Sequence, residues 1–291
     1  MAKGTKAGTK VVALSGACAI AVCAALGAGS VWAQADAARS TSDAARSTSA
    51  AVPRTAEDRS DLSGIWVATG ALALMEGPDA LRAALEADEA AGYEEPATEP
   101  PPYTPEAEAK RQEYLDRQGI DDPMAQCLLT GVPRINFRPL PFEIVQLANR
   151  VIMLYEIHHA FRIIPTDGRP HPDYIEPTYL GEPVGHWEGD TLVVEVIGFN
   201  DDTWLAGTGT WHSEELRVTE RWTRISSDTL AYEVMMEDPV VFTKPWRMYE
   251  TFRLRPDERL REYECIESNE DIVRFRELLE SGDEAFIERA E

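Results

Sequence analysis

The chain has 291 residues, 28 of them basic and 51 acidic, for a net charge of −23 at neutral pH. That balance repels nucleic acid and anionic membrane surfaces, so neither is expected as a partner. It keeps an exported protein soluble and by itself says nothing about fold.

At the N-terminus, Lys3, Lys6 and Lys10 precede an uncharged apolar stretch from Val11 to about Ala28, and small residues surround Val31-Trp32-Ala33. This is the three-part pattern of a secretory signal, assigned to residues 1–33, with Val at −3 and Ala at −1. The stretch is rich in Ala and Gly rather than Leu and Ile, which argues against a permanent span. Cys18 and Cys23 lie deep inside it with no Leu three positions before either, which argues against a lipoprotein signal. The expected location is periplasmic or secreted. Residues 34–60 carry Asp-Ala-Ala-Arg-Ser-Thr-Ser twice, at 36–42 and 43–49. With nothing to bury, this segment is expected to be a disordered tether.

Residues 61–291 are expected to form one domain. It opens at Asp61-Leu-Ser-Gly-Ile-Trp66, and a helical insertion follows over about 76–120. Helical spacing of Leu81, Leu85 and several alanines predicts one helix over 78–91, and Pro105 suits the first turn of another over 105–118. From Phe142 onward the pattern is of strands separated by turns. Asn149-Arg150, Thr166-Asp-Gly-Arg169, Glu188-Gly-Asp190, Ser226-Ser-Asp228 and Arg255-Pro-Asp-Glu258 punctuate nine or ten antiparallel strands. A charged helix is expected over about 270–280. Successive hairpins of neighbouring strands predict a mainly β fold, an antiparallel up-and-down, lipocalin-like barrel with short helices before it and one after.

Gly64-Ile-Trp66 and Trp187-Glu-Gly-Asp-Thr-Leu192 resemble elements of lipocalin-like and nitrobindin-like barrels. A wider set runs Trp187-Glu-Gly-Asp-Thr-Leu-Val-Val194, Gly198-Phe-Asn-Asp201, Thr203-Trp204, His212-Ser-Glu214, Val218-Thr-Glu-Arg221 and Asp238-Pro239…Thr243-Lys-Pro-Trp246. Together with Cys127…Gly131-Val-Pro-Arg134 and Asp167-Gly-Arg-Pro-His-Pro172, it resembles a family of exported bacterial proteins of unassigned function. The resemblance supports one domain over about 61–280 and implies no activity.

Strand alternation places Leu216, Val218, Glu220 and Trp222 on one face, so Glu220 points where its apolar neighbours point. The same rule puts Glu250 inside with Met248, Phe252 and Leu254, and Glu156 with Leu154 and Ile152. A buried carboxylate needs a cation, a hydrogen-bond partner or a raised pKa, and His158, Arg162 and Arg253 are the candidate partners. His158 and His159, adjacent on an expected strand, face opposite ways and cannot chelate together; no HExxH or CxxC motif occurs, so no metal or other cofactor is expected. His212 lies in a Gly-rich loop, with Glu214 or Asp201 able to set its tautomer as a general acid or base. The bland alternative is that Ser213 and Glu214 only order the loop. Trp204, Trp211 and Trp246 fall at loop ends, where they can stack on a flat ligand or plug the barrel as core. Cys127 and Cys265, the pair left after cleavage, are expected to form a disulfide in an oxidising compartment.

These features point to an exported barrel that binds a small, largely apolar or aromatic ligand through His158, Arg162, Trp204, Trp211, Glu220 and Trp246. The first alternative is a cofactor-free acid–base enzyme of isomerase, hydratase or lyase type centred on His212, Glu214 and Asp201. The second is an envelope interaction module with a packed interior.

Overall fold

The computed structural model describes residues 51–268 apart from 73–75, 77, 91, 118–120 and 208, together with residues 277, 280 and 281. The signal, the heptad duplication and most of the helix expected over 270–280 lie outside the described residues.

Eleven strands occur among them: β1 (Gly64–Ala68), β2 (Phe142–Leu147), β3 (Arg150–Tyr155), β4 (Phe161–Pro165), β5 (Glu182–Glu188), β6 (Thr191–Ile197), β7 (Trp204–Ala206), β8 (Thr210–Trp211), β9 (Arg217–Arg224), β10 (Thr229–Glu237) and β11 (Trp246–Leu254). Nine form one sheet, ordered β4-β3-β2-β1-β11-β10-β9-β6-β5, and β7 with β8 make a separate hairpin. Every ladder is antiparallel, and β11 returns to pair with β1. Apart from the inserted hairpin, spatial order therefore follows chain order around a nearly closed up-and-down barrel. The seam lies between β4 and β5. There Gly185 lets the strands approach, since a Cβ on it would sit 2.9 Å from Ile164 Cγ2.

The interior is filled by alternate residues, as strand geometry requires. Trp222, Tyr232, Phe142 and Phe252 stack and abut one another, Trp222 and Tyr232 with ring centroids 4.2 Å apart and Phe142 and Phe252 5.1 Å apart. Helix α1 (Pro78–Ala90) packs outside the barrel, where Asp88 meets Arg253 at 2.5 Å. Arg253 thus serves the outer face and does not pair an interior acid. Helix α2 (Pro105–Asp116) starts with Pro105 after Thr104, whose side chain accepts from Ala107 N at 3.2 Å. A short α3 (Cys265–Ser268) follows the last strand, and the Cys127–Cys265 disulfide, Cα atoms 5.6 Å apart, ties it to the loop ahead of β2.

Three expectations are corrected. Folded structure begins before Asp61, because Arg54 and Ser60 form an isolated bridge and Ser60 is fully buried. Strand β3 stops at Tyr155 and turns Val151, Met153 and Tyr155 inward; Glu156 lies past its end, outside the barrel, and accepts from Arg261 N at 2.8 Å. His158 and His159 therefore sit on a 3-10 turn, Ile157–His159, and not on a strand.

Candidate functional site

Glu220 enters the barrel from β9 as alternation requires, and it is fully buried. Arg162 of β4 reaches across the interior with both guanidinium ends, Nη1 donating to Oε1 at 3.1 Å and Nη2 to Oε2. Asn136 Nδ2 and Tyr232 OH donate to the same Oε1 at 3.0 and 3.1 Å. Tyr155 OH donates to Asn136 Oδ1 at 2.9 Å. Burial pushes Tyr155 up to about 12 and Tyr232 well above its ordinary value. Burial alone would lower the Arg162 pKa, but the facing Glu220 charge reverses that and raises it. The pair is sealed and hydrogen-bonded, which is the chemistry of a packed core and not of an open site. Asn136, Tyr155 and Tyr232 are contributors that strand alternation around Glu220 leaves unnamed.

His212, just after β8, is also buried. Its Nε2 meets Thr203 Oγ1 at 2.7 Å and its Nδ1 meets Ser213 O at 3.0 Å. Burial lowers its pKa, so the ring is neutral, donating from Nδ1 and accepting from the threonine hydroxyl. Gly131 makes room for that hydroxyl, because a Cβ there would lie 2.5 Å from Thr203 Oγ1. Asp201 and Glu214 are exposed and make no hydrogen bond to the ring; the nearby buried carboxylate is Asp238, which holds Ser213 N at 2.7 Å. The expected His212–Glu214–Asp201 group is therefore replaced by a His212–Thr203 pair that orders the loop.

Trp204 and Trp246 are core, and Trp211 packs half-buried against it. Trp204 is buried against the Tyr114 ring at 5.1 Å. Trp211 donates to Ala107 O at 3.3 Å under the Lys110 ammonium. Trp246 is buried and donates to Glu99 O at 2.8 Å. Glu250, mid-way along β11, accepts from Thr251 N at 3.1 Å and from Gly70 N at 3.4 Å. Burial first, and then the Glu95 charge, raises it to about 7.

An open cleft of about 560 Å³ lies elsewhere, outside the barrel beside β4 and α3. Leu129, Ala160, Phe161, Leu180 and Ile266 give it apolar walls, and the Cys127–Cys265 disulfide forms part of its rim. Phe161 is 61 % and Ile266 70 % exposed, so both present free apolar surface. The polar lining comes from His158, His159, Tyr263 and Glu264. His158 and His159 both have left-handed backbone, φ 56° and 50°, a conformation unusual for any residue but glycine. His158 Nε2 lies 3.4 Å from Thr130 Oγ1; burial first, and then the Arg138 charge, lowers its pKa. His159 Nε2 lies 2.9 Å from Tyr263 O and 3.3 Å from Glu264 Oε1. Of the residues expected to bind a ligand, only His158 reaches this cleft.

No family model, curated protein or solved structure matches the chain, so the site is read from its own chemistry. Among the described residues no group of three or more His, Cys, Asp or Glu is arranged to hold a metal, and no helix is long and apolar enough to cross a membrane.

Proposed function

We propose that the chain is an exported barrel protein that binds a small, largely apolar or aromatic ligand in the cleft beside the disulfide, outside the barrel. The observation that carries this reading is the contrast between two places. Inside the barrel, Glu220 and Arg162 are sealed by Asn136, Tyr232 and aromatic rings. In the cleft, exposed Phe161 and Ile266 face a volume in the range of small-molecule sites, with a few polar groups to orient an occupant. Two consecutive histidines held in left-handed backbone cost on the order of 1–3 kcal/mol each, and strain of that size concentrates where a surface is shaped for use. Native mass spectrometry of protein purified from its source is expected to show a co-purifying molecule that the Phe161→Asp variant loses. Phe161 is exposed, so the substitution leaves the core intact. A ligand retained by Phe161→Asp, or none found in the unsubstituted protein, overturns the reading.

One observation favours an acid–base enzyme in the same cleft. His159 and Glu264 lie 3.3 Å apart, and His158, neutral by burial, lines the same space. Such a pair within an open cavity is what proton transfer needs. Time-resolved mass spectrometry of the captured ligand separates the two: chemical change that stops in His158→Gln supports the enzyme, whereas an unchanged ligand supports the binder.

A further inference from the structure

We infer that the outer face of β2, β3 and β4 is where a second copy of this chain docks, related to the first by a two-fold axis. An antiparallel sheet with one face on the core carries polar residues on the other, and much of this barrel obeys that rule. Outward residues of β5, β9, β10 and β11 pair across strands as ions, Arg221 with Glu188 at 2.9 Å and Arg247 with Glu233 at 3.4 Å. Strands β2, β3 and β4 depart from it. With Ile144, Met153 and Ile164 in the core, alternation points Val145, Leu147, Ile152, Leu154, Phe161 and Ile163 outward. The ladders set them side by side: Val145 faces Ile152, Ile152 faces Ile163, and Leu154 faces Phe161. Leu147 is 47 % and Ile163 44 % exposed, so the strip is open to a partner. A contiguous apolar strip on so charged a chain marks a contact surface.

The charges at the two ends of the strip name the occupant. Glu143 lies opposite Leu154 at one end and Arg150 opposite Leu147 at the other, one level to either side of the Val145–Ile152 pair. Neither makes an ion pair among the described residues; Arg150 Nε donates to the adjacent Asn149 Oδ1 at 3.3 Å. A two-fold axis that lies between two copies and crosses the strands at the level of Val145, Ile152 and Ile163 stacks this apolar row on itself. It also reverses the strands. Arg150 of each copy then arrives over Leu154 of the other, with Glu143 on the neighbouring strand about 5 Å to the side. One rotation thus brings both charges together twice, which is the self-complementarity of an isologous contact. At long range two chains of net charge −23 repel, as does an anionic lipid surface, so a contact needs local complementarity of this kind. Phe161 at the end of the strip also belongs to the cleft, whereas Ile152 and Ile163 do not line it, so the two surfaces are tested separately.

The test is sedimentation velocity of the intact, oxidised protein over about 1–200 μM. The expected result is a monomer–dimer equilibrium that Ile163→Asp abolishes. Glu143→Arg and Arg150→Glu, each of which sets like charges together across the contact, should weaken the dimer about tenfold or more. The double variant Glu143→Arg/Arg150→Glu, which swaps the two charges, should restore it. Ile163 and Arg150 are exposed and Glu143 is half-buried, so these changes leave the core intact, and the charge swap serves alone if Ile163→Asp fails to fold. A protein that stays monomeric throughout overturns the proposal. If deleting residues 269–291 then makes it dimerise, the chain's own C-terminal segment is what covers the strip. A dimer indifferent to Ile163→Asp, or one that the charge swap fails to restore, also overturns the two-fold contact. So does native mass spectrometry of material from the source that shows an unlike chain, released by Ile163→Asp, in place of a second copy.

Discussion

Glu220→Gln isolates what the interior pair does. Glutamine preserves shape and can still accept from Asn136 and Tyr232, but it removes the one negative charge facing Arg162. The Glu220 side chain is fully buried and that of Arg162 is 1 % exposed, so the guanidinium has no water to fall back on. Its Nε is already without a partner. Breaking a buried pair from one side costs about 3–5 kcal/mol. Arg162→Met should cost a similar amount by leaving the carboxylate alone. The double variant Arg162→Met/Glu220→Leu removes both charges and should cost less than either single change, since apolar replacement of a whole buried pair is often neutral. Urea unfolding of the oxidised protein at pH 7, followed by tryptophan fluorescence, measures all three. A loss below about 1 kcal/mol for Glu220→Gln, or a double variant as weak as the sum of the singles, would refute the sealed pair.

Glu250 is raised to about 7 in the fold, so the folded chain holds a proton there that the unfolded chain releases near 4.5. Stability from this group is present at low pH and is lost as pH rises from about 4.5 to 7, by up to ~3 kcal/mol, and Glu250→Gln should flatten that slope in pH-dependent unfolding. His212 has the opposite sign: its lowered pKa makes the fold lose stability as pH falls below about 6.5, and His212→Gln should remove that loss without changing ligand affinity. Replacing Cys127 and Cys265 by Ser opens a loop of 138 residues, expected to cost on the order of 5 kcal/mol and to weaken cleft binding because the Tyr263–Ile266 wall is no longer tied down. Unfolding and titration of that variant check both effects together. N-terminal sequencing of exported material should find mature chains starting between about Gln34 and Ala38.

The barrel was legible because alternation and turns speak locally. Leu216, Val218, Glu220 and Trp222 share one face by period two alone, and Gly189, with φ +61°, sits where Glu188-Gly-Asp190 demands a turn. The cost of burying a charge named Arg162 among three candidate partners for the inward acids, and the structure pairs it with Glu220. The cleft was not legible. Glu156-Ile-His-His159 contains no Gly, Pro or Asn, so nothing in it announces that β3 ends and the backbone turns left-handed. The cleft walls come from residues 127, 129, 158–161, 180 and 263–266, joined by a disulfide between positions 138 apart. No periodicity encodes such a meeting. His212 misled for a related reason: its neighbours in sequence, Glu214 and Asp201, face solvent, while its partner Thr203 comes from the far side of the hairpin. Asn136 escaped notice because it sits on a 3-10 turn, where strand alternation does not apply.

The most direct test of where the ligand sits is nuclear magnetic resonance of the isotopically labelled, oxidised protein titrated with 2-naphthoate. The expected shifts fall on His158, Phe161, Leu180, Tyr263 and Ile266, with the indole of Trp222 and the amides of Glu220 and Tyr232 unmoved. Shifts centred on Trp222, Tyr232 and Glu220, with the cleft residues silent, would place the ligand inside the barrel and contradict the proposed site.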